Sequence, residues 1–208
     1  MVHISDGVLP PETILTGWVA TITLIFLTLR NMKAEDVPKL SVMTAAFFVA
    51  SLIHFPVGPT SVHLIFNGLT GVVLGVFSYP AIFIGLLLQA TLFGHGGITA
   101  LGVNTFDMGT PALLVGAAFG RWLKNSSPTK KPVLGAMLGG FAVMLAVILT
   151  AFMLRTAGKE FNAVIAVLVV SHIPVIIVEA VVTGVVVRFL LKVKPEVLGV
   201  NVNGEVAK

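Results

Sequence analysis

No cysteine occurs anywhere in the 208 residues, which excludes disulfides, thiolate metal sites and thiol catalysis. Charge is scarce too: Asp, Glu, Lys and Arg make up 11% of the chain, against about 25% in soluble domains. Only nine residues are carboxylates, and no two sit at a spacing that suggests acid–base work. The signatures HExxH, GxSxG and the phosphate-binding GxxxxGK followed by Ser or Thr are all missing. The chain is therefore not expected to be an enzyme, and energy for uphill transport would come from a partner or an ion gradient. Hard-cation cages, which need several oxygen ligands, are not expected either. There is no basic leader, since Asp6 and Glu12 precede the first apolar run, so a cleaved signal peptide is not expected. No internal repeat supports an inverted-repeat transporter.

What is abundant is apolar surface. Hydrophobic residues make up 56% of the chain and the mean hydropathy is +1.02, which marks an all-α integral membrane protein. Apolar runs fall at about 13–29, 40–55, 62–77, 80–93, 108–123, 132–154 and 161–191. Seven transmembrane helices is the expected count, with six as the rival. Lysine and arginine decide between them. Alternate loops hold Arg30, Lys33 and Lys39, then Arg121, Lys124, Lys130 and Lys131, then Arg188, Lys192, Lys194 and Lys208, whereas the opposite set holds Arg155 and Lys159. This positive-inside bias places the N-terminus outside and the C-terminus in the cytoplasm, which requires an odd number of spans. The net charge of +4 is thus a topology signal, and no nucleic-acid partner is expected. Residues 1–194 read as a single transmembrane domain, and 195–208 as a short, loosely ordered cytoplasmic tail.

Two connections are more than turns. Residues 55–63 form a Pro/Gly-rich outer loop that enters the third helix at His63. Residues 94–105 are too glycine-rich for a helix and too apolar for an exposed loop, and read as a re-entrant loop lining an outward pocket. Four of the five histidines, His3, His54, His63 and His95, map to the outer side. His3 lies within chelating reach of the α-amino group. A free amine, backbone amides and an imidazole form an all-nitrogen planar set suited to Ni(II) or Cu(II). A solvated terminal histidine is the plain alternative. His54 reads more simply as interfacial, and His172 as a helix–helix hydrogen-bonding group, with Glu179 two turns on as a candidate polar partner. Ala46 and Ala50, spaced AxxxA, would let another helix approach closely.

The segments His-Ile-Ser-Asp-Gly-Val-Leu at 3–9, Ser-Val-His at 61–63 with Asn67-Gly68, and Leu-Gln-Ala at 88–90 followed by Gly-His-Gly-Gly at 94–97 and Asn104-Thr105 resemble the CbiM/NikM proteins. These are substrate-specific S components of energy-coupling-factor cobalt and nickel transporters, found in the cytoplasmic (inner) membrane of prokaryotes. The resemblance implies a seven-helix fold whose extracellular N-terminus is buried in the bundle, with Ni(II) or Co(II) as transported substrate and no organic cofactor. It implies a coupling transmembrane T component, two ATPase subunits and sometimes a small accessory membrane subunit as partners, with the second-helix AxxxA at the docking surface. It also implies a metal site made of the terminal amine, a backbone amide, His3 and His63. Here Val2 separates Met1 from His3, so two arrangements stay open. The amine, two amides and His3 could fill the plane alone, or trimming of Met1 would restore the three-plus-one set with His63. Asp6, Asn67, Gln89, His95 and Asn104 are the expected supporting residues around the ligands. A carrier or channel working without ATPases is the alternative function.

Overall fold

Proline sets where helices begin. Its fixed φ and missing N–H are tolerated in a first turn, where the amide would lack a partner anyway. In the computed structural model, which describes residues 3–57, 60–123, 126–127 and 129–200, three of seven α-helices carry proline at one of their first two positions. They are α1 (Pro11–Leu29), α2 (Val37–Ala50, Pro38 in its first turn) and α6 (Lys131–Ala157, Pro132 in its first turn). The others are α3 (Asn67–Leu74), α4 (Ser78–Phe93), α5 (Leu101–Leu123) and α7 (Asn162–Val193). Four helical stretches among the described residues are long and apolar enough to cross a bilayer by length and composition. They are Pro11–Leu29, Asn67–Phe93, Lys131–Ala157 and Lys159–Val193. Large apolar side chains on their outer faces, such as Phe26, Met137, Ile148 and Phe189, are exposed, as lipid contact requires.

The stretch Asn67–Phe93 is not one straight rod. Gly75 (φ +57°) ends α3, and the chain reverses there. Gly71 lies against Ala112 and Gly75 against Gly116, so α3 runs beside α5 in the same direction. Tyr79 lies against Gly109, so α4 returns the other way. At eight residues α3 is about 12 Å long, too short to cross alone, and every one of its residues is buried. α5 is the central helix, packed against α1, α3, α4 and α6.

Four expectations change. The second helix stops at Ala50, not near residue 55, because the chain turns into a hairpin of β1 (His54–Val57) and β2 (Thr60–His63), in which His54 pairs with His63. Pro56 could not have continued the helix. The irregular stretch after α4 ends at Ala100, so Leu101–Thr105 are the first turn of α5 and not loop. Residues 195–200 are not a loose tail: Pro195, Leu198 and Val200 are buried, and Lys39 Nζ donates to the Val197 carbonyl at 2.6 Å. Residues 201–208 lie outside the described set. Finally, Ala50 is buried and Ala46 half-buried against the bundle, so the open face of α2 carries Ser41, Val42, Ala45 and Val49 instead.

Candidate metal site

The segment before α1 makes no helix, so its backbone groups need partners elsewhere. One amide supplies them for Ile4. The Ile4 N–H donates to Asn104 Oδ1 at 2.8 Å, and Asn104 Nδ2 donates to the Ile4 carbonyl at 2.9 Å. Two residues on, the Asp6 carboxylate accepts the N–H groups of Ile98, Thr99 and Ala100 and the Thr99 hydroxyl, immediately before α5 begins. That places an anion where a helix leaves its first amides unpaired. The Thr99 hydroxyl and these amides hold the Asp6 carboxyl below its ordinary range.

Close approach by the glycine-rich loop makes this possible. Gly96 takes φ +78°, and a Cβ there would sit 3.1 Å from Asn104 Nδ2 and 3.3 Å from the His3 side chain. A Cβ on Gly97 would fall inside the Asp6 carboxyl group. The N-terminal motif and the glycine motif are therefore two halves of one lock. Its expected behaviour is simple: Asn104→Ala leaves Ile4 unpaired and weakens metal binding by about 10- to 100-fold, the usual loss when a residue that orients a ligand is removed. A competition titration with a chelator reads it.

The lock presses His3 into the protein. Its side chain is 8% exposed, and neither ring nitrogen has a hydrogen-bond partner among the described residues. Burial pushes its pKa well below the ordinary 6.5; His63, the terminal amine, His95 and His172 push the same way. The ring is thus neutral and able to donate a lone pair. It stacks on His63 at 4.9 Å between centroids and 14° between planes, and His63 stacks on His95 at 6.4 Å and 5°. His63 has a fixed tautomer: its Nδ1 lies 2.7 Å from the Leu64 carbonyl, which can only accept, so Nδ1 carries the proton and Nε2 is the basic nitrogen. Parallel rings do not point their nitrogens at one centre. Among the described residues no three His, Asp or Glu side chains come together as a metal cage, so further donors must come from main chain or terminus. Beside His3 a cleft of about 430 Å³ opens between the N-terminal segment and α6 and α7, reached by Thr150, Leu154, Leu168 and Ser171.

The expected site residues separate clearly. His3, His63 and His95 are brought together, with Asp6 and Asn104 pinning the terminus that carries His3. Asn67 is buried elsewhere: its Nδ2 reaches the carbonyls of Met108 at 3.4 Å and Ala142 at 3.3 Å, joining α3 to α5 and α6. Gln89 is buried and supports His95 through its backbone, accepting the His95 N–H at 3.1 Å. Met1 and Val2 lie outside the described residues, and of His54 only the backbone is described. His172 does not pair with Glu179; its Nδ1 donates to the Leu168 carbonyl one turn back, at 2.7 Å. Glu179, expected as a partner of His172, instead binds the backbone just after His63. One buried group was missed: Asp107, which lies beside Thr150. An acidic residue inside an apolar run was the signal available for it.

A family model described as the cobalt uptake substrate-specific transmembrane region, CbiM, matches residues 3–197. The chain belongs to the CbiM family. This CbiM chain is 40% identical over 198 residues to a putative metal transport protein of Haemophilus influenzae, covering 94% of the chain and 96% of that relative. It is 34% identical over 122 residues to the fused nickel transport protein NikMN of Rhodobacter capsulatus, covering 56% of the chain and 35% of the fused protein. A crystal structure of a truncated transition metal transporter superposes with a TM-score of 0.77 at 28% identity, covering 91% of this chain and 98% of that one. The CbiM chain is accordingly a multi-pass membrane component of cobalt or nickel transport, and its relatives are transport components, not enzymes.

Proposed function

We propose that this chain is the substrate-binding membrane subunit of an energy-coupling-factor transporter, taking up Ni(II) or Co(II) from the outside. One observation carries the reading: a buried, neutral His3 with both ring nitrogens unpartnered among the described residues, stacked on a His63 whose tautomer leaves Nε2 basic. The metal is held by the terminal amine, backbone amide nitrogen, His3 and His63, the His3 ring turning out of its stack so that both imidazoles reach one ion, with His95 behind them. Ni(II) is slightly preferred, because planar nitrogen ligation suits it. A helical bundle with the N-terminus outside puts this site where the ion arrives. A coupling membrane subunit and two ATPases supply the energy, since the chain has no nucleotide-binding motif of its own. Docking on the coupling subunit falls to the open face of α2 around Ala45 and Val49.

Acid tests the donor set. The low His3 pKa keeps the imidazole neutral below pH 6.5, so its protonation is not what first opposes the metal. The amine must shed its proton to bind, and the released proton makes affinity fall by at least about tenfold per pH unit in acid. Nickel titrations of detergent-solubilised protein between pH 5 and pH 8 check this. Affinity that stays flat across that range rules out ligation through the amine.

A further inference from the structure

One peptide unit joins a buried acid to the imidazole of His63. The carbonyl of the Leu64–Ile65 peptide accepts the His63 Nδ1 proton at 2.7 Å. The N–H of the same peptide donates to Glu179 Oε1 at 2.5 Å. That oxygen also accepts the Phe66 N–H at 2.9 Å. Glu179 sits in the middle of α7 and is fully buried. Phe66 lies at φ +55°, a conformation non-glycine residues seldom adopt, and turns both amides toward the same oxygen. The peptide is planar and rigid, so the position of its N–H fixes the position of its C=O.

We infer that Glu179 is a positioning residue for metal binding, acting on His63 through the Leu64–Ile65 peptide. The carboxyl oxygen draws the peptide N–H and polarises the unit, which makes the Leu64 carbonyl a stronger acceptor. That carbonyl holds the proton on Nδ1 and leaves Nε2 as the nitrogen that meets the metal. This is the job that carboxylates commonly do directly for metal-bound histidines, here relayed by one amide. It also ties α7, which forms one wall of the cleft beside His3, to the second histidine of the site. The inference rests on His63 being a ligand, as proposed above.

Two readouts on the full chain with its native terminus test it. The first is the ¹⁵N spectrum of histidine-labelled protein without metal, which reports the His63 tautomer. The second is Ni(II) affinity by chelator competition. Glu179→Ala should mix the His63 tautomers and weaken Ni(II) binding by about 10- to 100-fold. Combining it with His63→Ala should cause no further loss beyond His63→Ala alone. Glu179→Gln keeps an oxygen acceptor and should fall in between, and it carries the test if the alanine variant does not fold. A pure Nδ1–H tautomer in both variants, or losses that add to that of His63→Ala, overturns the inference. Wild-type protein that binds neither Ni(II) nor Co(II) overturns the proposed function instead, and the tautomer readout still decides the role of Glu179.

Discussion

Replacing His3 with alanine, or fusing a tag ahead of the N-terminus, abolishes high-affinity Ni(II) binding while the helical bundle stays folded. The effect is large because both changes strike donors that nothing else in the chain replaces. There is no cysteine, and among the described residues no three His, Asp or Glu side chains come together to take their place. His3 lies ahead of α1 and belongs to none of the helices, so melting behaviour should change little. A metal competition assay and a thermal melt on the same samples separate the two effects. His63→Ala then divides the two ligand arrangements left open by Val2. Loss of binding means the terminus shares the ion with His63, and retained binding means the terminus holds it alone.

The second large effect comes from a residue with no side chain. Gly97→Val puts carbon where the Asp6 carboxyl group lies, so the N-terminal segment cannot close on the start of α5. Asp6 then loses the amides of Ile98, Thr99 and Ala100, and the contact between Ile4 and Asn104 goes with it. His3 leaves its buried place beside His63, and Ni(II) affinity falls by at least about 100-fold, the upper end of the loss seen when ligand-orienting contacts go. Limited proteolysis provides the second reading: the N-terminal residues should become cleavable while the bundle resists. Tight binding by this variant would mean that the lock does not deliver His3 to the metal.

Much of the architecture was legible because apolar run length reports helices directly. α1, α4, α6 and α7 lie close to their expected places. What failed has a common cause: polar and glycine residues that serve the site masked the local pattern. Asn104 and Thr105 look like loop, yet they open α5, and Asn104 is polar because it must hold Ile4. The third apolar run covers about 62–77, but only Asn67–Leu74 form α3, because β2 takes up its start and Gly75 turns the chain at its end. The hairpin at 54–63 is only four residues a side. Histidine and glutamate two turns apart on α7 suggested a pair, but each finds a backbone partner elsewhere, His172 in its own helix and Glu179 across the bundle. In α2, Ala50 packs inside the chain itself and so does not lie on an open face. The histidines of the candidate site were the easiest residues to pick out. Histidines in a cysteine-free chain with few charges have few roles to choose from, and His3, His63 and His95 do meet.

The most direct measurement is a calorimetric titration of Ni(II) and Co(II) into the full chain, purified with its native N-terminus and no N-terminal tag. The account predicts saturable binding of one ion per chain with protons released on binding, lost in His3→Ala. No saturable binding, or equal binding by wild type and His3→Ala, would contradict it.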